Sequence, residues 1–300
     1  MEPGASPRTV PSSPAAPVGA PPPGGWSLEA AYRWCAAVVK RHYENFPVAS
    51  RFLPAGLRRE LAVVYAFARL ADDFADEEAY DDETRLALLE AWGAELDRCV
   101  SDTSEHPVFV ALADLLRRRA ISPEPFHQLL TAFRLDCTQK RYPDWEALFA
   151  YCRCSANPVG RIVLALAGYG GEPYEGPSDA ICTALQLANF WQDVRPDLGR
   201  GRVYIPEVEL RRFGVDEAAL AAPSASPHLR GCLAACVGRT EELFDAGEAL
   251  FAMVDRTLAF HLRLVLLGGR RVLEKIARQD YDVLGRRPTL GRLDWAWVLI

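Results

Sequence analysis

Residues 72–83 read DDFADEEAYDDE, eight acids in twelve positions with no base. Such a run ordinarily marks a solvated helix end and a charged loop. Here it follows directly on LAVVYAFARL, residues 61–70, which is an apolar helical run and not a polar face. At about 100° per residue, Tyr65, Arg69, Asp72 and Asp76 fall on one narrow stripe. The chain must therefore fold so that carboxylates on a largely apolar helix find partners or face a cavity. The charge balance sharpens this. With 34 Lys and Arg against 40 Asp and Glu, the net charge is -6. The acid run alone contributes -8, so the other 288 residues sum to +2. The excess negative charge is local, and a non-specific nucleic-acid binder, which needs a basic field, is excluded.

Around this run the pattern is helical nearly throughout. Leu, Ala, Arg and Glu dominate, alternating β-branched runs are absent, and turn residues punctuate segments of helical length. Ser27 is the expected first N-cap. Ser122-Pro123-Glu124 reads as N-cap, Pro at N1 and an early acid. An all-α bundle with a central apolar cavity is the expected fold. Residues 1–25 hold eight of the 22 prolines, four glycines and two charged side chains, and are expected to form a disordered tail before a single domain at 26–300. No signal peptide or membrane span is visible. The eight cysteines are scattered without zinc-type spacing and read as reduced core thiols of a cytoplasmic protein. The chain has no GxGxxG, Walker A, HExxH or GxSxG motif. Its one ExxH, Glu124 to His127, lacks the second copy that a di-iron bundle needs.

A second stripe lies in QLANFWQDVRPD. Gln186, Asn189, Asp193 and Asp197 share a face of a helix that is otherwise apolar (Ile181, Leu185, Leu187, Phe190, Trp191). Two carboxylate stripes on facing helices repel unless a cation intervenes. Hard oxygen donors without His or Cys select Mg²⁺, with Mn²⁺ as a substitute, and Mg²⁺ usually completes its shell with substrate phosphates. An apolar cavity with diphosphate clamps at its mouth suits an isoprenoid diphosphate that ionises to a carbocation. Arg202 and Tyr204, in GRGRVYIP, follow the second stripe and are placed to fold back over the diphosphate. The alternative from a different class is a non-catalytic helical scaffold whose acids are only a solvated face.

At this point the segments YAFARLADDFADE (65–77), YCRCSANPVG (151–160) and QLANFWQDVRPDLGRGRVYIP (186–206) resemble the squalene/phytoene synthase family of head-to-head prenyl synthases. HYENFPVASRFLP (42–54) and SANPVGR resemble its bacterial hopanoid-pathway branch. The resemblance covers roughly residues 27–290 and implies the following roles. Asp72, Asp73 and Asp76, with Asn189, Asp193 and Asp197, would hold Mg²⁺ on diphosphate. Arg69 and Arg202 would contact diphosphate, with Gln186 nearby. Tyr65, Tyr151 and Tyr204 would line the pocket, and His42 would sit near the diphosphate end unless it is an ordinary surface histidine. The implied reaction converts presqualene diphosphate and water to hydroxysqualene and diphosphate without NADPH. Condensation of two prenyl diphosphates, giving presqualene diphosphate, dehydrosqualene or phytoene, is the alternative. Contact with a membrane surface and functional coupling to other squalene-pathway enzymes are implied by the greasy substrate. The C-terminal LDWAWVLI either docks on lipid or closes the bundle.

Two departures from the family pattern carry expectations of their own. Asn157 stands where carotenoid-forming relatives often have Gly. It either orients the quenching water, with Tyr151, or satisfies a carbonyl freed by Pro158. Pro196 is expected to distort the helix at Asp197, leaving Asp193 the firmer ligand.

Overall fold

The computed structural model describes residues 25–41, 53–101, 104–291 and Asp294. His42, most of the 42–54 signature, residues 1–24 of the tail and all of LDWAWVLI except Asp294 lie outside the described residues.

The helices in chain order are α1 (Leu28–Arg41), α2 (Ala55–Asp76), α3 (Asp82–Val100), α4 (Pro107–Arg119), α5 (Glu124–Thr138), α6 (Trp145–Ser155) and α7 (Asn157–Leu166). They continue as α8 (Glu172–Gln192), α9 (Val194–Gly199), α10 (Glu207–Arg212), α11 (Glu217–Leu220), α12 (Pro227–Gly247) and α13 (Arg256–Arg278), with a 3₁₀ turn at Glu248–Ala252. Among the described residues there is no strand. The expected all-α class is the observed one, and several starts fall where the capping chemistry puts them. Ser27 Oγ accepts from Ala30 N–H at 3.3 Å, and Ser122 Oγ from Glu124 N–H at 3.2 Å.

The acid run divides between two helices. Asp72, Asp73 and Asp76 occupy the half-buried last turns of α2, whereas Glu77, Glu78, Asp81, Asp82 and Glu83 are exposed. Asp81 caps α3 by accepting from Thr84 N–H at 2.9 Å, and Asp82 and Glu83 fill its first turn, where the helix dipole favours them. The later acids thus end one helix and start the next.

Apolar packing falls into two clusters. One joins α1 to α5 with Ile162 and Leu166 of α7; the other gathers α6, α8, α10, α12 and α13. α8 is the axis of the second and packs against α6, α7, α12 and α13. The buried Trp191 of α8 donates to Thr240 of α12 at 2.8 Å. α7 approaches α8 so closely that a Cβ on Gly160 would lie 2.5 Å from Ser178 Oγ and 2.6 Å from Cys182 Sγ.

The second acid stripe does not ride one helix. α8 ends at Gln192 and α9 restarts at Val194, with Asp193 between them at φ -110° and ψ 21°. Pro196 sets this position. It cannot donate to the Gln192 carbonyl four residues back, and its ring would collide with it. The distortion expected at Asp197 therefore falls one turn earlier, at Asp193. Asp197 itself is held, its N–H donating to the Asp193 carbonyl at 2.9 Å. Pro158 acts likewise on the Cys154 carbonyl: the chain breaks at Ala156, and Asn157 opens α7.

Candidate active site

The two apolar clusters meet at a polar seam built from α2, α5, α9 and the segment after α9. On α2, Arg69 donates to Asp72 at 3.3 Å and to Asp73 at 2.6 Å. Tyr65 belongs to the same neighbourhood: burial pushes its hydroxyl upward, and the charges of Arg69, Asp72 and Asp73 act on it. The stripe read from the wheel is therefore real.

Arg202 reaches this stripe from the far side. α9 ends at Gly199, and Gly201 takes φ +74°, a left-handed conformation that glycine adopts without strain. The turn brings Arg202 N–H onto the Asp197 carbonyl at 2.8 Å. The Arg202 guanidinium then donates to Asp76 at 2.8 Å, and Arg200 approaches the same carboxylate at 3.5 Å. Burial works against the Arg202 charge, but Tyr204, Asp136 and Asp76 outweigh it and hold it above its usual range. Beyond Arg202 the backbone runs beside residues 140–143, with Val203 N–H on the Lys140 carbonyl and Glu207 N–H on that of Tyr142, each at 2.9 Å. The segment after α9 thus folds back onto the first acid stripe through Arg202, whereas the Tyr204 hydroxyl turns inward to Asp136.

Tyr204 is packed in an aromatic wall. Its ring stacks on Phe190 at 3.7 Å with planes 6° apart, and lies 5.6 Å from Tyr142 and 5.9 Å from Tyr151. Phe190, Tyr204, Arg202 and Asp197 line one narrow cleft with Val194, Val203 and Ile205. Tyr151 donates to Asp136 at 2.8 Å, and Tyr204 to the same oxygen at 3.5 Å.

Asp136 is the residue that sequence reasoning missed. It sits four residues after Ala132 on the buried stripe of α5, and an acid on an apolar stripe was the available signal. It is only 9% exposed and titrates at about 6 because burial disfavours its charge, against the opposing pull of Arg202 and Tyr151. Asp72 is also raised to about 6, by burial and then by Asp76. Asp197 reaches about 7, by burial and then by Asp193. Asp72, Asp76, Asp136, Asp193 and Asp197 therefore act on one another as a single array. Both motifs contribute to it.

The remaining assignments separate. Asp193 is held by Arg287, whose Nε and Nη2 both reach it, the latter at 3.0 Å. Arg287 is a second residue that nothing in the sequence singled out. Asn189 is exposed and Gln186 half-buried on α8. Asn157 is buried and accepts from Thr183 of α8 at 2.9 Å. Thr183 and Phe190 are seven residues apart, so they share a face about 10 Å apart along α8. Asn157 is thus buried against α8, away from the residues that line the cleft.

Carboxylates are the donor set here, and among the described residues no three His, Cys, Asp or Glu side chains stand close enough to form a ready metal cage. An ion that draws several ligands from a phosphate fits such a set; one needing an all-protein cage does not. Arg69 and Arg202 each bury an Nε with no acceptor among the described residues, an N–H that an anion would satisfy. His127 of the lone ExxH faces Asp97 at 3.3 Å instead of a metal partner. All eight cysteines are free, and six of them are buried. Among the described residues no helix is long and apolar enough to cross a membrane.

The fold has counterparts of known structure. Squalene synthase HpnC from Alicyclobacillus acidocaldarius superposes with a TM-score of 0.80 at 41% identity, covering 85% of this chain and 95% of that one. A dehydrosqualene synthase shares the fold, with a TM-score of 0.82 at 24% identity over 91% of this chain and 95% of its own. The molecule is thus an all-helical synthase of isoprenoid biosynthesis. The squalene/phytoene synthase model matches residues 39–294, and the chain belongs to that family. Among its relatives, hydroxysqualene synthase of Rhodopseudomonas palustris is 36% identical over 79% of this chain and 80% of its own. Phytoene synthase of Mycobacterium tuberculosis is 32% identical over 90% of each. Membership makes the chain an enzyme, and the scaffold alternative falls.

Proposed function

We propose that this enzyme converts presqualene diphosphate and water to hydroxysqualene and diphosphate. The observation that carries the site chemistry is the group of Asp72, Asp136 and Asp197, whose carboxyls burial raises, set with the Arg202–Asp76 pair beside an aromatic wall. The choice of reaction rests on similarity: the hydroxysqualene synthases of Rhodopseudomonas palustris and Sinorhizobium fredii are 36% and 34% identical to this chain.

Asp72, Asp73 and Asp76 on one side and Asn189, Asp193 and Asp197 on the other would hold Mg²⁺, or Mn²⁺ in its place. Bound there, the ion supplies Lewis-acid neutralisation of a departing diphosphate. Arg69 and Arg202 bind the diphosphate oxygens through their unspent N–H groups and take up charge as the C–O bond breaks and its electron pair leaves with diphosphate. The stacked faces of Phe190 and Tyr204 stabilise the carbocation left behind. Tyr151 and Tyr204 keep their protons, since burial pushes both hydroxyls upward and Asp136 accepts their hydrogen bonds. They present rings and not phenolates to the cation, so the cleft traps no covalent adduct. Asn157, with its carbonyl held by Thr183, orients the water that adds to the cation. The reaction consumes no reductant, so NADPH is not required.

Condensation of two prenyl diphosphates is the second reading. It is favoured by the longer match to phytoene synthase, 90% of the chain against 79%. Farnesyl diphosphate and presqualene diphosphate, offered separately with Mg²⁺ and without NADPH, distinguish the two by product mass. Hydroxysqualene from presqualene diphosphate alone is the expected result; turnover of farnesyl diphosphate alone would overturn the proposal.

A further inference from the structure

The stretch after α13 is fastened at several points. Gln279 donates to the Asp282 and Arg286 carbonyls at 3.0 and 2.9 Å. Lys275 donates to the Thr289 carbonyl at 2.6 Å. Asp294 closes the stretch: it accepts from Arg271 Nε at 2.8 Å and Gly291 N–H at 2.7 Å and pairs with Lys275. These bonds lay residues 285–291 as a strap against the break between α8 and α9, where Gln192 donates to the Pro288 carbonyl. The strap delivers one cation to the seam. Arg287 grips both oxygens of Asp193, the residue at the break itself.

Asp193 and Asp197 differ in this respect. Asp193 has a bidentate arginine, whereas Asp197 has no ion pair among the described residues. A guanidinium bonded to both oxygens competes with a cation for their lone pairs and lowers the pull of the carboxylate on it. It also carries the charge that a cation would supply. Arg287 remains about half exposed, so it can exchange partners without unfolding its surroundings.

We infer that Arg287 is a counter-ion latch on Asp193. It holds the second acid motif closed to divalent metal until a diphosphate arrives to take the guanidinium. Diphosphate offers the same bidentate geometry with more charge, so metal and substrate enter together. Asp294 is a positioning residue that acts through the strap. This inference rests on the proposed metal-binding role of Asp193.

The test is Mn²⁺ binding followed by electron paramagnetic resonance, with no substrate present, on the full-length protein and on Arg287→Ala, Arg287→Lys and Asp193→Asn. Arg287→Ala should bind Mn²⁺ about fivefold more tightly than the wild type, the size of a partly exposed ion pair. Arg287→Lys, which keeps the charge, should fall between them. With Mn²⁺ saturating, inorganic diphosphate should bind Arg287→Ala more weakly than the wild type. Opposite signs for metal and diphosphate mark a latch; a merely structural arginine would weaken both. If Asp193→Asn lowers Mn²⁺ affinity while Arg287→Ala does not raise it, the latch is wrong and the metal role of Asp193 stands. If neither substitution changes Mn²⁺ binding, the metal role fails and the latch with it.

Discussion

Asp197 is held at a cost to the fold, and Asp197→Asn measures it. The carboxyl titrates at about 7 in the native state, because burial and the neighbouring Asp193 disfavour its charge, against an ordinary value of 3.8. Between those values the folded protein binds one more proton than the unfolded chain. Stability therefore falls as pH rises through this window. At about 1.36 kcal/mol per pKa unit the full penalty is roughly 4 kcal/mol, and partial solvent contact reduces it to about 2 kcal/mol. Asn keeps the shape and carries no charge. Urea denaturation should find Asp197→Asn about 2 kcal/mol more stable than the wild type at pH 8, a gain of roughly 5 °C in Tm for a protein of this size. At pH 5 only part of that gain should remain, because the unfolded carboxyl is still largely ionised there, and the two proteins should become about equally stable near pH 3.5, where both states are largely protonated. Metal-dependent diphosphate release should nevertheless fall in the variant by about 10²-fold or more. A variant less stable than the wild type at pH 8, or a gain that is the same at pH 5, would refute the claim that a disfavoured charge resides on Asp197.

Three further substitutions probe other parts of the seam. Asp136→Ala removes the acceptor of Tyr151 and Tyr204 and should lower stability by about 2–4 kcal/mol in the same denaturation assay, because two buried hydroxyls lose their partner. Asp72→Ala should abolish diphosphate release at saturating Mg²⁺, by about 10²- to 10³-fold, while the far-ultraviolet circular dichroism remains that of the folded helices. Asn157→Ala should shift product from hydroxylated toward eliminated hydrocarbon on presqualene diphosphate, read by mass spectrometry; an unchanged ratio would exclude a water-orienting amide.

The helical class and the first acid stripe were legible because both depend on local periodicity. A wheel predicts which side chains share a face as long as the helix is continuous, and α2 runs unbroken from Ala55 to Asp76. The second stripe was legible only in part, since α8 stops at Gln192 and Asp193 and Asp197 belong to a different geometry from Gln186 and Asn189. Pro196 announced a distortion, and the reach of its ring one turn back fixed where it fell. Asp136 was readable in principle from the apolar stripe it interrupts. Arg287 was not, because it meets Asp193 only across 94 residues of chain and through a strap whose fastening at Asp294 has no local signature.

The arginines explain why an array of carboxylates can exist here before any cation binds. Asp72 and Asp73 share Arg69, Asp76 has Arg202 and Arg200, and Asp193 has Arg287. Each acid motif is thus folded around internal cations, which keeps like charges from driving the helices apart. Among the described residues these paired carboxylates do not come together as a ready metal cage. A cage of bare carboxylates would bind a divalent ion whether or not substrate was present. A set already paired to arginine instead admits the ion best when a polyanion arrives, because that anion draws the guanidinium groups to itself and frees their acids in one exchange. In the proposed reaction the ion and the arginines would then meet the diphosphate together, at the rim of the aromatic wall that receives the carbocation.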